Sequence, residues 1–162
     1  MEDTPTFSSL AFDDIPAPDY ADVIIAILPE GSATDPAAWA RTIFSTTSMP
    51  VWVKVALGLR QLLAPLIGIP KAKRNIFSVS KVAGDEALIS VNDRHLNFRC
   101  AVGVDVERRL VRVTTTVALK GWRGRVYFWP VRLVHPTVVH AMLTRAQRRM
   151  GSIGSAPDQF LK

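Results

Sequence analysis

Three side chains with chemical capacity, His95, Asn97 and Arg99, recur at every second residue of one alternating stretch. An extended backbone sets them side by side on one face of a strand. An imidazole there titrates near neutral pH and a guanidinium grips a carboxylate through paired N–H donors, so the trio suits binding or polarising an acidic substrate. The same alternation turns them away from the apolar face, where solvent or a cross-strand ion pair is the expected neighbour. Arg60 is the other conspicuous charge, because it interrupts a wide helical arc of Trp52, Val55, Ala56, Leu59, Leu62, Leu63 and Leu66. Its stem can cover apolar surface while the guanidinium reaches water, or it can point into a cavity that supplies an anionic or carbonyl partner.

Other chemistries lack their residues. The three histidines, His95, His135 and His140, form no HxH or HExxH pair and have no cysteine cluster beside them, so no metal site is expected. A phosphate-cradling glycine loop and a G-x-S-x-G elbow are both absent from the sequence, and no catalytic residue or cofactor is assigned. The single cysteine, Cys100, falls among alternating strand residues, where a thiol behaves as a small apolar side chain, and a reducing cytoplasm is the expected setting.

Those residues need elements to position them. The 162 residues are 48% hydrophobic, enough for one packed domain, expected over 19–150 between a flexible acidic arm (1–18) and a flexible tail (151–162). Asp22 to Leu28 reads as a first strand stopped by Pro29-Glu30-Gly31, and Asp35-Pro36 caps a helix running to about Phe44. Met49 to Pro70 is the most apolar stretch, but Lys54, Arg60, Pro65 and Pro70 interrupt it, so it reads as a buried helix and not a membrane span. Strands follow from Ile76 to Val82 and from Glu86 to Val91 about an Ala83-Gly84-Asp85 turn, then from Leu96 to Val106 and from Arg109 to Leu119, paired antiparallel. Gly121 to Val134 reads as a strand end or as an irregular helical turn broken at Pro130, with the final helix opening at His135-Pro136 and stopping at Gly151. The expected fold is α+β: a curved antiparallel sheet packed on a C-terminal helix, with two helices after the first strand, in a helix-grip arrangement that can leave a ligand cavity between the layers.

Charge is divided along the chain. Eight carboxylates and no Lys or Arg precede Arg41, so that segment carries −8 and the remainder +14, against +6 overall. Scattered solvated charge, a basic surface for an anionic partner, and an acidic arm lying on the protein's own basic face all account for this. Nucleic acid is not an expected partner, because neither aromatic residues interleaved with clustered Lys/Arg nor a helix-turn-helix pattern is present.

The stretches LGLRQLLAPLIGI, NDRHLNFRCAVGV, VRVTTTVAL and GWRGRVYFWPVRLVHPTVVHAMLTRA resemble the bacterial family called domain of unknown function 2867, over roughly Tyr20 to Arg149. The resemblance implies a START and polyketide-cyclase type of fold. Some relatives carry this domain behind an NAD(P)-binding short-chain dehydrogenase-like domain, which makes such a protein an implied partner. Arg125, Tyr127 and His135 match the family's second motif and lie near where a helix-grip cavity opens, or else anchor the final helix. The family pattern implies Asp where this chain has Asn97, which removes a carboxylate base from that position. The leading expectation is a small apolar or amphipathic ligand held between sheet and helices, with Arg60, Arg99 or Tyr127 as polar anchors. Two alternatives are a cyclase- or dehydratase-like enzyme using His95 or His135 as acid/base, and a basic module for an acidic partner or an anionic membrane surface.

Overall fold

The computed structural model describes residues 7–45, 47–49 and 77–154. Arg60 and the apolar stretch from Pro50 to Ile76 therefore lie outside the described residues, as does the tail beyond Gly154. Five antiparallel strands, β1 (Tyr20–Ile27), β2 (Val79–Ala83), β3 (Glu86–Asn92), β4 (Leu96–Asp105) and β5 (Leu110–Leu119), form one sheet in the order β1-β5-β4-β3-β2. Among the described residues two α-helices, α1 (Pro36–Ile43) and α2 (Gly121–Gly154), and a 3-10 turn at Leu10–Phe12 accompany the sheet, an α+β architecture consistent with a helix grip.

Turn chemistry sets the register. Between Ala83 and Glu86 a two-residue loop has positive φ at its first position, Gly84 (57°), the sign pattern of a hairpin turn that matches strand twist. The β4–β5 loop is longer, because Asp105 accepts the Arg108 amide at 2.8 Å and its guanidinium at 2.9 Å, ending the strand before Val106. α1 begins where Asp35 accepts the amides of Ala37 and Ala38 at 2.9 and 3.1 Å, with Pro36 in the first turn.

One face of the sheet carries the main core. Ile89, Cys100, Val102, Val111 and Val113 meet Trp39 and Ile43 of α1 and Val139, Met142, Leu143 and Ala146 of α2. The opposite face receives the N-terminal segment: Ala11 packs on Leu88 and Ala101, and Thr116 donates to the Ala11 carbonyl at 2.6 Å. Glu86, almost wholly buried, accepts from the Ser9 hydroxyl and the Leu10 amide on one oxygen and from Arg112 on the other. Gly103 makes this possible, since Arg112 lies across it and a Cβ there would meet the Arg112 Nε at 2.8 Å.

α2 differs from its sequence reading. It runs unbroken for 34 residues through Pro130 and Pro136 and past Gly151. Each proline removes one N–H and deprives a carbonyl, that of Val126 or Arg132, of its helical donor. Both prolines and both of those residues are exposed, so water can serve the carbonyls while the buried side chains of Phe128, Val139 and Met142 hold the helix to the sheet.

Candidate functional site

Asp22 occupies the register of β1 that faces the helices, alongside Ile24 and Ala26, so strand alternation carries a carboxylate into a mostly apolar interface. Tyr20, two residues earlier on the same face, donates its hydroxyl to Asp22 Oδ2 at 2.7 Å. His135 of α2 meets the same oxygen through Nδ1 at 2.9 Å; an ionised carboxylate only accepts, so Nδ1 carries a proton in the neutral and the charged ring alike, and in the neutral ring Nε2 is the basic nitrogen. The Tyr20 ring also meets Phe128 and His135 edge-on, at centroid distances of 5.2 and 5.8 Å.

Burial alone would raise the Asp22 pKa, but hydrogen bonds from His135 and Tyr20 and the charge of His135 outweigh it and hold the carboxyl below its ordinary value. Burial first, then the bond to Asp22, raises the Tyr20 phenol above its usual range. The hydroxyl of Thr115, the cross-strand neighbour of Asp22, is buried with the other Asp22 oxygen and adds to the lowering of its pKa.

Beside this cluster lies a cleft of about 280 Å³ between the β1 start, the β5 end and the first turns of α2. Tyr20, Leu119, Phe128 and Trp129 form its apolar walls, and Asp19, Arg125 and Arg132 its polar ones. Asp19 is engaged by the Leu119 amide at 2.7 Å. Neither arginine makes a carboxylate pair among the described residues, so the cleft presents two cations to anything that enters. A larger cleft of about 340 Å³, between the N-terminal segment and the β2–β3 turn, is lined by Asp13, Asp85, Glu86 and Arg112. There Arg112 is already paired with Asp85 and Glu86 at 3.2 and 3.1 Å, which leaves less unneutralised positive charge than in the smaller one.

The sequence-derived residues fall apart into separate places. Arg99 is buried on the N-terminal face, where its Nε and a terminal nitrogen meet Asp14 at 2.7 and 2.6 Å and its other terminal nitrogen donates to Asn92 at 2.8 Å. It does hold a carboxylate, but one from its own chain. Asn97, two residues away in β4, keeps its amide oxygen buried and without a hydrogen-bond partner among the described residues. His95 precedes β4 and is buried; its carbonyl accepts the Lys120 amide at 2.8 Å and abuts Gly124, while its Nε2 has no hydrogen-bond partner among the described residues. Tyr127 is half-buried on α2. Among the described candidates, Arg125 lines the cleft and His135 meets Tyr20, which lines it too. Asp22, Tyr20 and Arg132 escaped the sequence reading. The available signals were the parity of Asp22 with Ile24 and Ala26, and the spacing of Arg132 two helical turns after Arg125.

Sheet, covering helix and lateral cleft define an α+β domain of the helix-grip kind, with an Asp–His pair inside the sheet–helix interface and a cationic cleft at its edge. No curated protein and no solved structure matches the chain. It belongs to the family described as protein of unknown function, DUF2867, whose model matches residues 15–142.

Proposed function

We propose that the protein binds a small amphipathic anion, with a flat or branched apolar body against Tyr20, Phe128 and Trp129 and its charged group between Arg125 and Arg132. The observation that carries this reading is the pairing of two uncommitted guanidiniums with aromatic walls in one cleft between sheet and helix. Mixed clefts with a few convergent polar groups are ordinary ligand sites, and arginine grips carboxylates and phosphates in the bidentate manner. Isothermal titration with aryl and branched alkyl carboxylates, each beside its neutral alcohol, tests it. The acids bind, the alcohols bind at least about tenfold more weakly, and Arg132→Ala removes that difference, as losing a charged hydrogen bond requires. Equal affinity for acids and alcohols, or no binding of either, defeats the reading.

A second reading, an enzyme of the cyclase or dehydratase kind, is favoured by the Asp22–His135 contact alone, which orients an imidazole with its basic Nε2 away from the carboxylate. His95 lies apart from the cleft, so this version rests on His135. Mass spectrometry of a bound acid after incubation with wild type and His135→Asn distinguishes the two: His135-dependent loss of water or ring closure supports catalysis, and an unchanged ligand supports binding only.

A further inference from the structure

Trp129 apart, the apolar residues on the outer face of α2 do not line the cleft, and their composition is unusual for a solvent face. Trp122, Val126, Trp129 and Leu133 are exposed by 70%, 62%, 59% and 63%. At about 100° per residue their side chains fall within an arc of roughly 60°, a stripe on the order of 16 Å long. Phe128, His135, Val139 and Met142, which face the sheet, lie on the opposite side of the same helix. Arg123 flanks the stripe on one side, with its guanidinium 5.5 Å from the Trp122 ring centre, and Arg125 and Arg132 flank it on the other. Along its 34 residues α2 carries six arginines and no Asp or Glu.

We infer that this stripe docks on an anionic lipid bilayer surface, with the indoles, Val126 and Leu133 entering the headgroup–acyl boundary and the flanking arginines meeting lipid phosphates. The charge pattern selects this occupant. Pairing with a second copy through the same stripe would bring arginine-only helices together with no carboxylate on either. A nucleic acid would leave the Val and Leu centre of the stripe against phosphates without a hydrogen bond. A bilayer interface accepts both halves of the pattern, because tryptophan and aliphatic side chains partition there and basic residues gain from the negative surface potential. None of the described helices is long and apolar enough to cross the membrane, so the contact is a surface one.

The test uses the full chain with vesicles of phosphatidylcholine alone and of equal parts phosphatidylcholine and phosphatidylglycerol, by flotation at low and at high salt. The protein floats with the anionic vesicles, and added salt weakens this. Trp122→Ser with Leu133→Ser reduces binding by about tenfold or more, Trp122→Phe restores part of it when paired with native Leu133, and Arg123→Gln reduces it by about fivefold, near the effect of one basic residue at such a surface. Trp122, Leu133 and Arg123 do not line the cleft, so carboxylate affinity stays unchanged in these variants and the two readings fail separately. Three results overturn the inference: no flotation of the native protein; flotation that the double Ser variant retains, as a general polyanion binder would; or a lowered melting temperature of that variant, which would mean the chain itself covers the stripe.

Discussion

At the scale of single residues, the lowered pKa of Asp22, which His135 contacts, makes the sheet–helix interface sensitive to acid. Asp22 titrates below its ordinary value of 3.8 when folded, so between the two values the unfolded chain binds more protons and stability rises with pH. That stabilisation is complete above the ordinary value and disappears as pH falls through the folded one. Asp22→Asn leaves the Tyr20 hydroxyl and the His135 N–H facing a neutral amide, and it lowers stability at neutral pH by about 1–3 kcal/mol. Urea unfolding at a series of pH values checks both parts: the variant is less stable at neutral pH, and its stability falls less steeply than the native protein's on acidification below the ordinary aspartate value. Arg99 shows the opposite use of a charged pair. It is buried beneath a half-exposed Asp14, so its work is to hold the N-terminal segment to the sheet.

Among the elements, the entry into α2 decides whether the cleft exists. Gly121, at φ 67°, turns the chain out of β5, and Gly124 then sits against the His95 carbonyl, with backbone on both sides of the contact. Neither side of that contact can swing aside as a side-chain tip does. Gly124→Ala therefore forces the first turn of α2 away from β4, destabilises the protein by about 1–3 kcal/mol as overpacking does, and displaces Arg125 and Phe128 from the cleft. Gly103→Ala also creates a close contact, but with the Arg112 side chain, which can move at the expense of its bond to Glu86. Thermal melts and carboxylate titration separate them: both variants melt lower, and only Gly124→Ala loses ligand affinity.

For the whole molecule, α1 and α2 cover one face of the sheet, and the Ser9–Ile15 segment covers β3, β4 and β5 on the other, leaving Val23, Ile25 and Ile27 of β1 exposed. The acidic segment lies partly on the protein's own basic residues, through Asp14 on Arg99 and Asp13 on Lys81, which is one of the explanations open for the charge division. Cys100, in the middle strand of the sheet, is buried in the main core, and burial, the largest influence, pushes its thiol up to about 12. Alkylation at mild alkaline pH therefore waits for unfolding: its rate follows the denaturant dependence of global unfolding, and fast labelling of the native protein would contradict this packing. Strand positions, the α1 cap and the hairpin were legible in the residues, because alternation, Asp35-Pro36 and Gly84 act over neighbouring positions. The continuity of α2 was not, since proline's local penalty is visible in sequence while the packing of Phe128 and Met142 that outweighs it is not. Likewise Asp22 meets a histidine 113 residues away, and Arg99 a carboxylate 85 residues away. Local chain stereochemistry is written into adjacent residues; which charges finally meet is settled only when distant segments share a buried surface, where an unpaired charge would be too unfavourable to keep.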